Sequence, residues 1–138
     1  MTSTKSIDKT AGILIVTGRI MLGSLFVLGA INKIINYAAT SASMQAVGLE
    51  PVAILLPATI ILELAGGLWL AACLSRPWFF AAALAVFTLS TNWFFHAFWT
   101  LEGAERQLEI ALFFKNFAIA GALLLVAGLS FEKSASSQ

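Results

Sequence analysis

Seven polar side chains stand inside or at the ends of otherwise apolar stretches of this chain: Arg19, Lys33, Glu63, Asn92, His96, Lys115 and Asn116. Ionisable groups at membrane depth are costly. They face the bundle interior or a wet cavity, and they mark binding sites and proton paths. Three of them have side chains suited to catalysis. Glu63 can exchange protons, His96 is the only histidine, a residue type suited to proton transfer, and Lys115 can polarise a carbonyl or hold an anion. Arg19, Lys33, Asn92 and Asn116 join them as candidate ligand-binding residues.

Depth suggests which of these groups meet. Measured from the outer side at about 1.5 Å per residue, Lys33 lies about 3 Å deep, His96 about 5 Å, and Asn92 and Lys115 about 10 Å. On the same rise Glu63 lies at about 18 Å and Arg19 at about 24 Å, so Arg19 is expected to pair with Glu63. Lys115 is left to snorkel outward, to pair with Glu109 or to stay neutral. Arg19 and Lys115 against Glu63 leave one positive charge in excess, which suits an anionic or carbonyl-bearing ligand. The purely structural readings are an ion pair that fixes helix register, a snorkelling lysine and a satisfied histidine. Trp93, Phe94, Phe95, Phe98 and Trp99 flank His96 and offer flat rings to a flat ligand; equally, they are ordinary lipid contacts.

These groups are positioned by four apolar runs, at roughly 11–35, 51–74, 78–99 and 108–130. Each is long enough, at about 20 residues or more, to cross a hydrocarbon core of about 30 Å as a helix. The predicted fold is therefore all-α, an integral membrane four-helix bundle forming a single domain over 1–138. Composition agrees: 59% of residues are apolar and 11% charged, against about 25% charged in a soluble domain. Ser75-Arg76-Pro77 and Thr100 to Gln107 form short connections, and Asn36 to Glu50 is long enough for a short interfacial helix. The polar ends, Met1 to Thr10 and Phe131 to Gln138, are expected to be loosely ordered. The first run is too long for a leader's apolar core and holds Arg19, so it is read as a span. Within the runs, Arg19, Gly23, Phe26, Ala30 and Lys33 share one helical stripe, and Glu63, Gly66, Gly67 and Leu70 share another. Small residues beside charge let bilayer helices pack closely.

Much chemistry is excluded. One histidine and one cysteine, Cys73, cannot build a bis-His haem, a disulfide, an iron–sulfur cluster or a metal site. Cys73 reads as a small buried apolar residue. There is no phosphate loop, and Asp8 is the only aspartate, so no Ser-His-Asp set forms. The net charge of +1 gives no reason to expect nucleic acid as a partner. No covalent cofactor is expected. Redox chemistry would need a lipid-soluble carrier such as a quinone, or a partner subunit. Four spans put both ends and the second loop on one side with Lys5, Lys9, Arg76 and Lys133, against Lys33 and Arg106 on the other. This bias favours cytoplasmic termini.

The order of these features resembles the DoxX family of small four-helix bacterial membrane proteins. The resemblance rests on Gly18-Arg19, Phe26, Gly29 and Lys33 in run one, and on Leu62-Glu63-Leu64-Ala65-Gly66-Gly67-Leu68 in run two. It continues in His96-Ala97-Phe98-Trp99 and in Lys115-Asn116 with Gly121 and Leu123-Leu124. Ala30 stands where many members have glycine. The resemblance implies a location in the bacterial cytoplasmic membrane and an association with membrane-bound sulfur or quinone oxidoreductase systems and oxidative stress. The expectation is a membrane subunit of a redox system that interacts with a quinone; as an enzyme it would be an oxidoreductase subunit. The alternatives are an assembly partner in a membrane complex or a homo-oligomer, and a small transporter, for which no inverted repeat is evident.

Overall fold

The computed structural model describes residues 2–74 and 78–135 and is all-α over them. Its helices are α1 (Thr2–Ile35), α2 (Tyr37–Ala46), α3 (Val52–Ala71), α4 (Phe79–Phe95) and α5 (Gly103–Ala135), with a 3₁₀ turn at Phe98–Thr100. Four of these are long and apolar enough to cross a membrane, namely α1, α3, α5 and α4 with its 3₁₀ extension. The four-helix membrane bundle read from the apolar runs is the observed architecture. The short helix expected between the first two spans is α2. Ser75, Arg76 and Pro77 lie outside the described residues, as do the side chains of Lys5 and Lys133.

Two expectations about boundaries change. The terminal segments were read as loosely ordered, yet α1 is helical from Thr2 and α5 runs through to Ala135. Once an apolar span is formed, each further residue adds one backbone hydrogen bond, so helix propagates into a polar flank that contains no breaker. In the last connection the helix restarts early. Gly103 takes a positive φ of 60°, which a glycine adopts without steric cost, and α5 begins there rather than near residue 108.

The bundle is two close helix pairs, α1 with α3 and α4 with α5, joined by lighter contacts between α3 and α4 and between α1 and α5. Glycines set the α1–α3 contact. A Cβ on Gly23 would stand 2.5 Å from the Gly67 carbonyl oxygen, and one on Gly67 would stand 2.8 Å from that of Gly23. The two backbones therefore touch, which lipid-solvated helices achieve with small residues. Both stripes read from the sequence face inward: Gly23, Phe26 and Ala30 are buried in α1, and Glu63, Gly66, Gly67 and Leu70 in α3.

The core has two parts. One, around Trp69, Leu70, Leu84 and Leu123, fills the end of the bundle nearest the α3 C-terminus. The other joins Ala30, Met44, Val52, Leu56 and Ile60, so α2 folds back over the first turns of α3. Glu50 starts that helix, its Oε2 accepting from the Val52 amide at 3.1 Å. A carboxylate there satisfies an otherwise unpaired donor and complements the positive end of the helix.

Candidate functional site

The helix register decides which polar groups meet. Gly29 lies against the Glu63 carboxyl group and Gly23 against Gly67 and Ala71, so α1 and α3 run antiparallel with residue 29 opposite residue 63. Lys33 stands one turn beyond Gly29, about 6 Å away along the axis, which is within a lysine's reach. Its Nζ donates to both Glu63 oxygens at 2.9 Å. Glu63 is buried, with its side chain 6% exposed, so the ammonium neutralises a carboxylate taken out of solvent.

Arg19 does not pair with Glu63. It lies ten residues before Gly29, about 15 Å from the level of Glu63. Run ends suggested a smaller gap because they assumed that the first two spans begin and end at the same height. In the structure the first turn of α3 projects past the end of α1, under α2, and the whole register slides. Arg19 instead closes the other end of α3. Its guanidinium donates to the carbonyls of Leu70 at 3.3 Å, Trp69 at 3.4 Å and Leu74 at 2.8 Å, and lies 4.8 Å from the Trp69 ring centre. Those carbonyls belong to a helix C-terminus, where orphan acceptors and the negative end of the helix favour a cation. Cys73 sits in the same turn with φ 54°, the Cys73 amide bonding to Leu70 O and the Leu74 amide to Trp69 O. That is the left-handed closing position where glycine is usual. Cys73 is thus a half-buried turn residue and not the buried core residue read from the sequence.

Between the two helix pairs lies a cavity of about 230 Å³. Phe26, Gly29 and Lys33 of α1, Glu63 of α3, Phe87, Thr88 and Thr91 of α4, and Lys115, Asn116 and Ile119 of α5 line it. Glu63, Lys33, Lys115 and Asn116 are thereby brought together. Lys115 is exposed, and its ammonium has no hydrogen-bond or ion-pair partner among the described residues. Of the three alternatives for Lys115, pairing with Glu109 does not occur; Glu109 bonds to His96. The charged residues on this cavity are Lys33, Lys115 and Glu63; Arg19, which the count from sequence included, is not among them.

Asn92 and His96 do other work. Asn92 is buried at the α4–α5 contact; its Nδ2 donates to Phe113 O at 3.0 Å and its Oδ1 accepts from Asn116 Nδ2 at 3.0 Å. It ties the two helices and sets the position of Asn116 without lining the cavity. His96 caps α4, and its Nδ1 lies 2.6 Å from Glu109 Oε2, which joins the end of α4 to α5. By the α4 rise it is nine residues past Phe87, about 13 Å from that level toward the α4 C-terminus. Beside it Trp93, Phe98, Trp99 and Phe113 stack with ring centres 5.3–6.4 Å apart. Phe94 and Phe95 turn away, toward a second cavity of about 250 Å³ beneath α2. The aromatic run thus divides between a cluster at the helix end and the wall of another cavity. Sequence reasoning passed over Phe87, Thr88 and Thr91. Thr88, one turn before Asn92, and Thr91, next to it, were the available signal in an apolar helix.

Four membrane-length helices around a buried ion pair and an unpaired ammonium define a small α-helical membrane protein with an intramembrane polar cavity. The chain belongs to the DoxX family, whose pattern matches residues 14–97. It is 35% identical over 114 residues to "Inner membrane protein YqjF" of Escherichia coli (strain K12), a match that covers 82% of this chain and 81% of that protein. No solved structure matches the chain. The family pattern takes in Arg19, Lys33, Glu63, Asn92 and His96 and ends before Lys115 and Asn116.

Proposed function

We propose that this protein is a membrane subunit of a redox system, set in the bacterial inner membrane with both termini cytoplasmic, and that its cavity receives the carbonyl head of a quinone. The observation that carries this reading is the unpaired Lys115 ammonium on the wall of a cavity whose other charges, Lys33 and Glu63, already neutralise one another. Phe26, Phe87 and Ile119 supply apolar walls suited to a flat ring. A bound quinone supplies the capacity to take up two electrons and two protons; the electrons come from a partner protein. In this chain, Lys115 donates a hydrogen bond to the carbonyl oxygen. Glu63, released from Lys33, is the carboxylate through which a proton reaches the head.

Titration of purified protein with a short-chain ubiquinone tests this. Lys115→Ala is expected to weaken binding about tenfold, the loss of one charge-assisted hydrogen bond of about 1.5 kcal/mol. Glu63→Gln is expected to leave the fold in place and to change binding. Unchanged affinity in both variants overturns the reading.

A second reading, assembly with another membrane protein, is favoured by the exposure of Lys115. An ammonium turned toward acyl chains is costly by about 3 kcal/mol or more, and a partner's carboxylate would remove that cost. A stable complex purified without quinone, and lost on Lys115→Ala, supports it.

A further inference from the structure

The apolar cavity beneath α2 adjoins the polar one. Both are lined by Lys33, Phe87 and Thr91, which stand where the two meet. The second cavity is bounded by Met44 and Thr40 of α2 and by Leu49 in the following turn, while Phe94 and Phe95 also line it. Lys33 apart, its lining is apolar or hydroxylic, and the Lys33 ammonium points to Glu63 rather than into it.

Volume bears on use. Sites for small organic ligands span about 300–1,000 Å³. Neither cavity, at about 230 and about 250 Å³, reaches that range alone, whereas the two taken together do. The chemistry of the walls divides along the same line. The uncompensated cation and the amide of Asn116 lie on one side of Phe87 and Thr91, with aliphatic and aromatic surface on the other. A polar cavity and an apolar cavity that share Phe87 and Thr91 on their walls match the two ends of an amphiphile.

We infer that the two cavities are one bipartite site for a lipid-soluble amphiphile, with a carbonyl or anionic head at Lys115 and Asn116 and an apolar tail that passes Phe87 and Thr91 into the chamber under α2. This inference deepens the quinone reading and rests on its placement of the head. It adds that α2 and the segment to Leu49 measure the tail. The head chemistry is shared by prenylated or alkylated quinones and by fatty acids, both of which dissolve in the bilayer. The polar cavity is lined by α1 and α5, which touch only lightly.

Three probes test the inference by calorimetric titration in detergent micelles: decyl-benzoquinone, the tail-less dimethoxy-methyl-benzoquinone head, and dodecanoate. Ser90 is exposed and lines the chamber mouth, so Ser90→Phe adds bulk there with little disturbance of the core. Partition of each probe into micelles is the same for wild type and variant and cancels in the comparison. Ser90→Phe is expected to weaken the tailed probes about tenfold and to leave the tail-less head unchanged. Met44→Ala, which removes a wall contact from the chamber, is expected to weaken decyl-benzoquinone severalfold and to leave the tail-less head unchanged, with circular dichroism confirming that the variant stays folded.

Decyl-benzoquinone binding that is indifferent to both variants overturns the bipartite site and leaves the quinone reading standing. Tail-dependent binding of dodecanoate with none of either quinone supports the bipartite site and removes the quinone reading. Binding of the tail-less head with none of either tailed probe overturns the bipartite site alone, and no binding of any of the three overturns both.

Discussion

At the scale of single residues, three of the seven polar groups hold backbone or helix positions. Arg19 bonds to three carbonyls at the end of α3, Asn92 ties α4 to α5, and His96 joins the end of α4 to Glu109. Hydrogen bonds to a charged group are worth about 1.5–3 kcal/mol. Arg19→Ala is therefore expected to lower the unfolding free energy in detergent by about 2 kcal/mol, and Arg19→Lys, which keeps the charge but not the planar fork, to recover part of that. Neither variant should change quinone affinity at Lys115, since Arg19 lies at the other end of α3; a thermal melt and a titration on the same samples check both points. Cys73 shows the opposite balance. A non-glycine residue in the left-handed region costs about 1–2 kcal/mol, so Cys73→Gly is expected to raise the melting temperature by a few degrees. An unchanged or lower value would mean that the Cys73 side chain contributes as much as its backbone costs.

At the scale of elements, the α1–α3 pair depends on two glycines whose backbones touch. Gly23→Ala or Gly67→Ala would place a methyl group within 2.5–2.8 Å of a carbonyl oxygen, and backbone cannot yield as a side-chain tip can. Either variant is expected to push α1 from α3, separate Lys33 from Glu63 and lower stability. Gly18→Ala and Gly121→Ala, where nothing lies within 4 Å, should behave as wild type. Parallel melts of the four proteins make the comparison. This contrast also shows what could be read from sequence. The four spans were legible because each apolar run is long and uninterrupted, and the inward stripes were legible because helical spacing fixes which residues share a face. The register was not. It depends on how far α2 carries the chain before α3 begins, and a slide of several residues exchanged Arg19 for Lys33 as the partner of Glu63. The pairing of His96 with Glu109 was hidden for a related reason: it depends on where α4 stops and α5 restarts, which Gly103 decides.

At the scale of the whole molecule, the two ends of the bundle differ in their basic residues, and the proposed orientation rests on that difference. One end gathers the α1 N-terminus, the α3 C-terminus, the start of α4 and the α5 C-terminus. Arg19 bonds to Leu74 there, and Trp78 packs edge-on against Phe131 with ring centres 5.5 Å apart. The other end carries α2, the His96–Glu109 pair and the start of α5. At 34 residues α1 is about 51 Å long, more than the hydrocarbon core of about 30 Å, so its first turns, with Lys5 and Lys9, stand beyond the core at the first end. Cytoplasmic segments near span ends carry the excess of lysine and arginine, and this end also has Arg76 and Lys133 in sequence, against Lys33 and Arg106 at the other. Because Lys33 is engaged with Glu63, Arg106 is the one free basic residue left on the opposite side among those counted, and the bias is stronger than the bare count. Single cysteines placed in a Cys73→Gly background test this with a membrane-impermeant maleimide. Gln107→Cys is expected to label in spheroplasts, and Ser3→Cys only in inverted vesicles. The reverse pattern would place the termini outside and turn the mouth of the cavity pair toward the cytoplasmic half of the bilayer.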